Sequence, residues 1–168
     1  MGETPHAAYN QDKNVFPHPT SGGRMFQHIL IPTDGSELSR KAVAGALDFA
    51  KTLGARLTAY TCLEEYPYTP FSEIVVETPQ AFKERVEAQA RVVLKDVEDA
   101  AVSAGITCDT DMSCFAVPYM GIIDAAERHG CDVIFMASHG RRGLAGLLLG
   151  SETQKVLTHT EIPVIVYR

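Results

Sequence analysis

The chain predicts an α/β fold, a parallel β-sheet covered by helices on both faces. Three observations carry this expectation. Strand-like and helix-like segments alternate strictly from residue 28 to the end. Most of the strand-like segments are almost continuously apolar, as strands buried on both faces must be. One of them, Val133-Ile134-Phe135-Met136, runs into a glycine-rich loop and then a helical pattern, SETQKVLTH. That order sets a helix N-terminus beyond the carboxyl end of a strand.

Each element follows from local chemistry. Residues 1–24 are polar, contain Pro5, Pro17, Pro19 and Ser21-Gly22-Gly23, and show no apolar period. They read as a flexible N-terminal extension, with residues 25–168 as one domain. His28 to Thr33 is the first strand. Ser36 to Leu53 carries Ala42, Val43, Ala46, Leu47, Ala50 and Leu53 at helical spacing, with Gly54 where a terminating glycine belongs. Leu57 to Leu63 is the second strand. Glu64 to Thr78 is an irregular loop with Pro67 and Pro70, in which Tyr66, Tyr68 and Phe71 are expected to pack over the sheet edge.

Phe82 to Ala104 is a long amphipathic helix through Phe82, Val86, Ala90, Val93, Val97 and Ala101, ended by Gly105. Ile106 to Cys114 is a third strand of mixed polarity, which suits a place near the sheet edge. Tyr119 to His129 is helical and stops at Gly130. Asp132 to Ala137, Ser151 to Thr160 and Pro163 to Tyr167 complete the pattern as strand, helix and strand.

Composition narrows the function classes. With 168 residues and 45% hydrophobic content the chain fits one globular domain. A net charge of −6 argues against nucleic acid, whose phosphates need a concentrated basic patch. No apolar run reaches the ~18 residues of a membrane span, so no membrane partner is expected. The start lacks the basic and apolar segments of a secretion signal. Cys62, Cys108, Cys114 and Cys131 show no CxxC spacing and read as reduced thiols of a cytoplasmic protein. The histidines lack H-x-x-x-H spacing, so no metal site is expected from the protein alone.

The glycine-rich stretch, MASHGRRGLAGLLLGS over residues 136–151, concentrates the functional signal. Glycines let a backbone approach a ligand closely, and a helix start offers unpaired N–H groups that suit phosphate. Loops of this kind also serve as plain turns. Ser151-Glu152-Thr153-Gln154 is an S-x-x-Q capping box, worth ~1 kcal/mol to the helix with no ligand present. Asp34, directly after the first strand, could accept from ribose hydroxyls or an adenine amino group, or hold a divalent ion facing phosphates. It could equally start the next helix as an N-cap or Asx-turn residue. Arg141 and Arg142 either reach phosphates or solvate the loop. No GxxxxGK[ST] is present, and the pattern sets no Ser-His-Asp or Cys-His arrangement at one crevice, so no catalytic residue is assigned.

The segment SHGRRGLAGLLLGS resembles the glycine motif of the universal stress protein family: Gly, two residues, Gly, nine residues, Gly, then Ser or Thr. Gly140 takes the second glycine position, Gly150-Ser151 close the motif, and Ala137 stands where the first glycine would be. PTDGS at residues 32–36, VPYMGIIDAAERHGCDVIFMASHG and the terminal PVIVYR sit where that family has them. The resemblance implies a Rossmann-like fold of the adenine nucleotide alpha-hydrolase kind, with five strands in the order 3-2-1-4-5. Ligands of such sheets sit where strand order reverses, between the first and fourth strands, which is where PTDGS and SHGRRG both end up.

The resemblance further implies that ATP or a related adenine nucleotide binds there, with Mg²⁺ or Mn²⁺ and with Asp34 in contact. Pro32 and Thr33 would line the adenine side, and the backbone of Cys62 would meet the base. Ala137, His139, Gly140, Arg141, Gly150, Ser151 and Glu152 would surround the rest, His139 as a loop-ordering residue. The nucleotide would shift the conformation of the Arg141–Leu149 loop. The terminal strand would pair with its copy in a homodimer, since a bare edge strand needs cover. The expected function is regulatory binding in a stress response. The alternatives are a dimeric stress protein without nucleotide, from which Ala137 is the separating feature, and a slow ATPase or adenylating enzyme.

Overall fold

The computed structural model describes residues 25–67, 77–139 and 149–168. The expected extension, residues 1–24, lies outside the described residues, as do Tyr68, Phe71, Gly140, Arg141, Arg142 and most of the Arg141–Leu149 loop.

The described chain runs β1 (His28–Pro32), α1 (Glu37–Leu53), β2 (Arg56–Leu63), α2 (Pro79–Ala104), β3 (Cys108–Cys114), α3 (Pro118–Arg128), β4 (Val133–Ala137), α4 (Ser151–His159) and β5 (Val164–Tyr167). The strands form one five-stranded sheet in the order β3-β2-β1-β4-β5, every neighbouring pair parallel. This is the predicted sheet. β3 is an edge strand, as its polarity requires, and β5 is the other edge.

Alternation along each strand splits the core in two. Ile29, Ile31, Leu57, Ala59, Val133 and Phe135 face α1 and α2. Leu30, Tyr60, Ile134 and Met136 face α3 and α4. Burial on both sides explains why the central strands read as continuous apolar runs.

The helices begin and end on recognisable signals. Ser36 Oγ accepts the Ser39 N–H at 3.2 Å and caps α1. α2 starts three residues earlier than its apolar stripe suggests, because Thr78 caps it and Pro79 takes the first helical position. Its buried ridge also differs in one place from the expected one. Leu94, not Val93, enters the core, and Val93 turns half-buried toward the carboxyl ends of the strands. Gly105 ends α2 at φ 72°, with nothing within 4 Å of the place a Cβ would take, so the left-handed backbone alone calls for glycine there.

At the amino ends of the strands the connections are short and cross-bonded. Asp132 accepts the backbone N–H groups of Gln27 at 2.7 Å and His28 at 3.0 Å, tying β4 to β1. Asp111 of β3 holds Arg128 at 2.8 Å and His129 at 3.0 Å, which clamps the end of α3. Burial pushes the Asp111 carboxyl up, but the hydrogen bonds from His129 and Arg128 outweigh it and leave the group below its ordinary value.

Candidate functional site

The opposite end of the sheet is open. A crevice of about 520 Å³ lies beyond the carboxyl ends of β1, β2 and β4, walled by α2, α3 and the start of α4. Strand order reverses there, since β1 pairs with β2 on one side and β4 on the other.

The turn after β1 is built by short side chains. The Thr33 N–H donates to the Tyr60 carbonyl at 2.8 Å, and the Thr33 carbonyl accepts Thr61 Oγ1 at 2.8 Å. Thr33 Oγ1 donates to Ser39 Oγ at 3.2 Å and accepts the Gly35 N–H at 3.3 Å. Asp34 Oδ1 accepts the Ser36 N–H at 3.0 Å, an Asx turn. The structural alternative for Asp34 is therefore realised, while the residue also lines the crevice.

The turn after β4 is clamped at its base. The Ser138 N–H donates to the Tyr167 carbonyl at 2.8 Å, and the Gly150 N–H donates to the Ser138 carbonyl at 2.7 Å. Thr153 Oγ1, buried, reaches the carbonyls of Ala137 at 3.1 Å and Ser138 at 3.2 Å. A Cβ on Gly150 would stand 3.2 Å from the Ser138 oxygen and 3.3 Å from His139 Cα, so glycine there answers a close approach. His139 Nδ1 pairs with Ser138 Oγ at 3.1 Å, and its Nε2 is buried with no hydrogen-bond partner among the described residues.

One expectation changes at this turn. The capping box does not form. Gly150 is the N-cap of α4, and Ser151 is an exposed first helical residue. The Gln154 N–H bonds the Gly150 carbonyl at 3.0 Å and its side chain the Leu149 carbonyl at 3.1 Å. The cause is the Thr153 clamp, which draws the helix start against β4 one residue early. Ala137, in turn, needs no left-handed backbone: it ends β4, and Phe26 is the one described non-glycine residue at positive φ. Alanine at the motif's first glycine position therefore carries no backbone strain.

The floor was not foreseen. Tyr60 is fully buried, and its hydroxyl pairs with Ser113 Oγ at 2.8 Å. Burial holds its phenol above the ordinary tyrosine value. A Cβ on Gly121 of α3 would stand 2.2 Å from that hydroxyl, so glycine is needed for α3 to close over it. Beside it the half-buried Cys62 has its thiol pushed up by burial, consistent with an inert wall residue. Glu152 reaches across from α4, its Oε2 accepting the Tyr119 N–H at 2.9 Å and its Oε1 the Lys155 ammonium at 2.7 Å.

Every expected site residue among those described lines this one crevice: Pro32, Thr33, Asp34 and Cys62 on one side, Ala137, His139, Gly150, Ser151 and Glu152 on the other. Gly140 and Arg141 lie outside the described residues. Tyr60, Gly121 and Thr153 are the structural partners that local sequence signals missed. Among the described residues no group of three or more His, Cys, Asp or Glu side chains could hold a metal ion, and no helix is long and apolar enough to cross a membrane.

Comparison with known proteins gives a consistent result. The profile of the universal stress protein family matches residues 25–168. A universal stress protein of Methanocaldococcus jannaschii, MJ0531, is 30% identical over 149 residues, covering 88% of this chain and 85% of the relative. The solved structure of a second protein of that organism, MJ0577, superposes with a TM-score of 0.72 at 25% identity over 84% of this chain and 95% of its own. A universal stress protein solved in complex with cAMP has the same fold, with a TM-score of 0.63 at 24% identity over 86% and 98% of the two chains.

Proposed function

The chain belongs to the universal stress protein family, and from that premise we propose that it binds an adenine nucleotide, ATP or a close relative, in the strand-end crevice and acts as a regulatory binding protein. One observation carries the reading. The two turns that follow β1 and β4, remote in sequence, meet at one crevice of a size that suits a small ligand. A relative of the same fold holds cAMP.

In this reading the base lies against Pro32, Thr33 and the backbone of Cys62, and Asp34 receives a ribose hydroxyl or the adenine amino group. The phosphate end points toward Gly140, Gly150, Ser151 and the free N–H groups of the first turn of α4. Bound metal, Mg²⁺ or Mn²⁺, would come with the nucleotide, facing Asp34. Phosphoryl transfer needs a positioned nucleophile and charge stabilisation specific to the transition state. The described crevice residues offer neither, so turnover stays far below the ~1–100 s⁻¹ of kinases. The free cysteines suit a reducing compartment, the cytoplasm. The edge strand β5 pairs with its copy in a homodimer, which light scattering at micromolar concentration tests directly.

Calorimetry on nucleotide-free protein decides the main point. Heat is expected with ATP and Mg²⁺, and Asp34→Ala should weaken binding about tenfold or more, the loss of one charge-assisted hydrogen bond. Silence with ATP, AMP and adenosine alike would overturn the reading.

A further inference from the structure

Two helix N-termini open onto the crevice, and one carboxylate serves both. α3 follows Val117, whose side chain makes no cap bond, and begins with Pro118. Its Tyr119 N–H is taken instead by Glu152 Oε2 at 2.9 Å. Glu152 also sits in the first turn of α4, where its charge offsets the positive end of that helix. The side chain is held in place. Lys155 Nζ grips Oε1 at 2.7 Å and itself lies 5.6 Å over the Tyr119 ring. Among the described residues lining the crevice the charged ones are Asp34, Glu64 and Glu152, with no lysine or arginine.

We propose that Glu152 sets the number of phosphates the crevice accepts, favouring an adenine nucleoside monophosphate over the triphosphate when no divalent cation is present. The proposal rests on the nucleotide reading above and deepens it. Phosphate is drawn to a helix start by unpaired N–H groups and the partial positive charge there. At α3 a protein carboxylate has already taken the Tyr119 donor, and at α4 the same carboxylate, shared with Lys155, opposes the positive end of the helix. Each added phosphate brings more negative charge toward Glu152, against the pull of the first-turn N–H groups of α4. The Arg141-Arg142 pair is the counter-charge the neighbouring loop sequence offers. A base and a ribose carry no such charge, so their binding is indifferent to Glu152.

Calorimetry with adenosine, AMP and ATP, each in EDTA, tests this on the wild-type chain and on Glu152→Gln. Glutamine keeps a carbonyl for the Tyr119 N–H and removes the charge. The wild type should bind AMP more tightly than ATP. Glu152→Gln should tighten ATP about three- to tenfold, change AMP less and leave adenosine unmoved. The wild-type AMP preference should also narrow as salt rises, an arm that needs no variant to fold. ATP binding as tightly as AMP in the wild type, or an unchanged ratio in Glu152→Gln, overturns the role of Glu152 and leaves the nucleotide reading standing. Failure of adenosine, AMP and ATP alike to bind either protein overturns both.

Discussion

The two ends of the sheet solve the same problem in opposite ways. At the amino ends the chain bonds mostly to itself. Asp132 takes two backbone donors, Asp111 holds Arg128 and His129, and glycine stops such as Gly54 and Gly105 return the helices to the strands within a few residues. At the carboxyl ends the long connections after β2 and β4 part around a crevice, and the start of α4 faces it with donors in reserve. The difference teaches where this fold can vary. Groups at the closed end bond one another and serve stability. Groups at the open end bond just enough to hold their turns, and what remains is available to a ligand.

The largest expected effect comes from breaking the open end from below. Its floor is as tightly packed as any core. Gly121→Ala would put a methyl 2.2 Å from the Tyr60 hydroxyl and 2.9 Å from the Phe115 ring. We expect a loss of about 2–3 kcal/mol, read as a melting-temperature drop of roughly 4–12 °C. Adding Tyr60→Phe should recover part of it, and a double variant no more stable than Gly121→Ala would show that the clash is not what matters.

Acid should act at the closed end first. His28, 4% exposed at the start of β1, has its pKa lowered by burial and by Arg56, its Nε2 paired with Thr58 Oγ1 at 2.8 Å and its Nδ1 without a partner among the described residues. A folded-state pKa below the unfolded value means the unfolded chain binds the proton first. Stability is therefore full above about pH 6.5 and falls as the pH drops from there toward the folded-state value. Asp111, also lowered, adds its loss only below about pH 4. Replacing His28 by Gln should flatten the first of these slopes in urea titrations at pH 7 and 5.5. An unchanged slope would assign it elsewhere.

The smallest effect belongs to the rim. Ser151 is an exposed first-turn residue with Gly150 as the cap, so Ser151→Ala should cost less than about 0.5 kcal/mol. A loss near the ~1 kcal/mol of a true cap would restore the capping box. The same variant in a calorimeter separates stability at this rim from ligand contact.

How much of this was legible in the sequence follows the same division. Strands, helices and their ends are local signals, and alternation with terminal glycines announces them. The two glycine-bearing turns were legible because short motifs write their backbone needs directly. Boundaries slipped where a short signal was outweighed: Thr78-Pro79 starts α2 ahead of its apolar stripe, and the Thr153 clamp moves the α4 cap to Gly150. The floor was illegible for a different reason. Tyr60 reads as one more strand residue and Gly121 as a weak point in a helix, and only their contact across β2 and α3 gives either a purpose. Glu152 is expected at the site, but its bond across the crevice is illegible because its partner, Tyr119, is 33 residues away.

The clamp at the base of the β4–α4 turn has a consequence for how the chain can be lengthened. The Gly150 N–H to Ser138 bond and both Thr153 bonds join residues on either side of segment 140–148 and use none within it. Doubling the length of chain between Ser138 and Gly150 would set about 0.6 kcal/mol of closure entropy against these three bonds. The staple that seats α4 against β4 is thus written entirely in Ser138, Gly150 and Thr153 with the Ala137 carbonyl, so a substitution within the bracketed segment leaves its donors and acceptors in place.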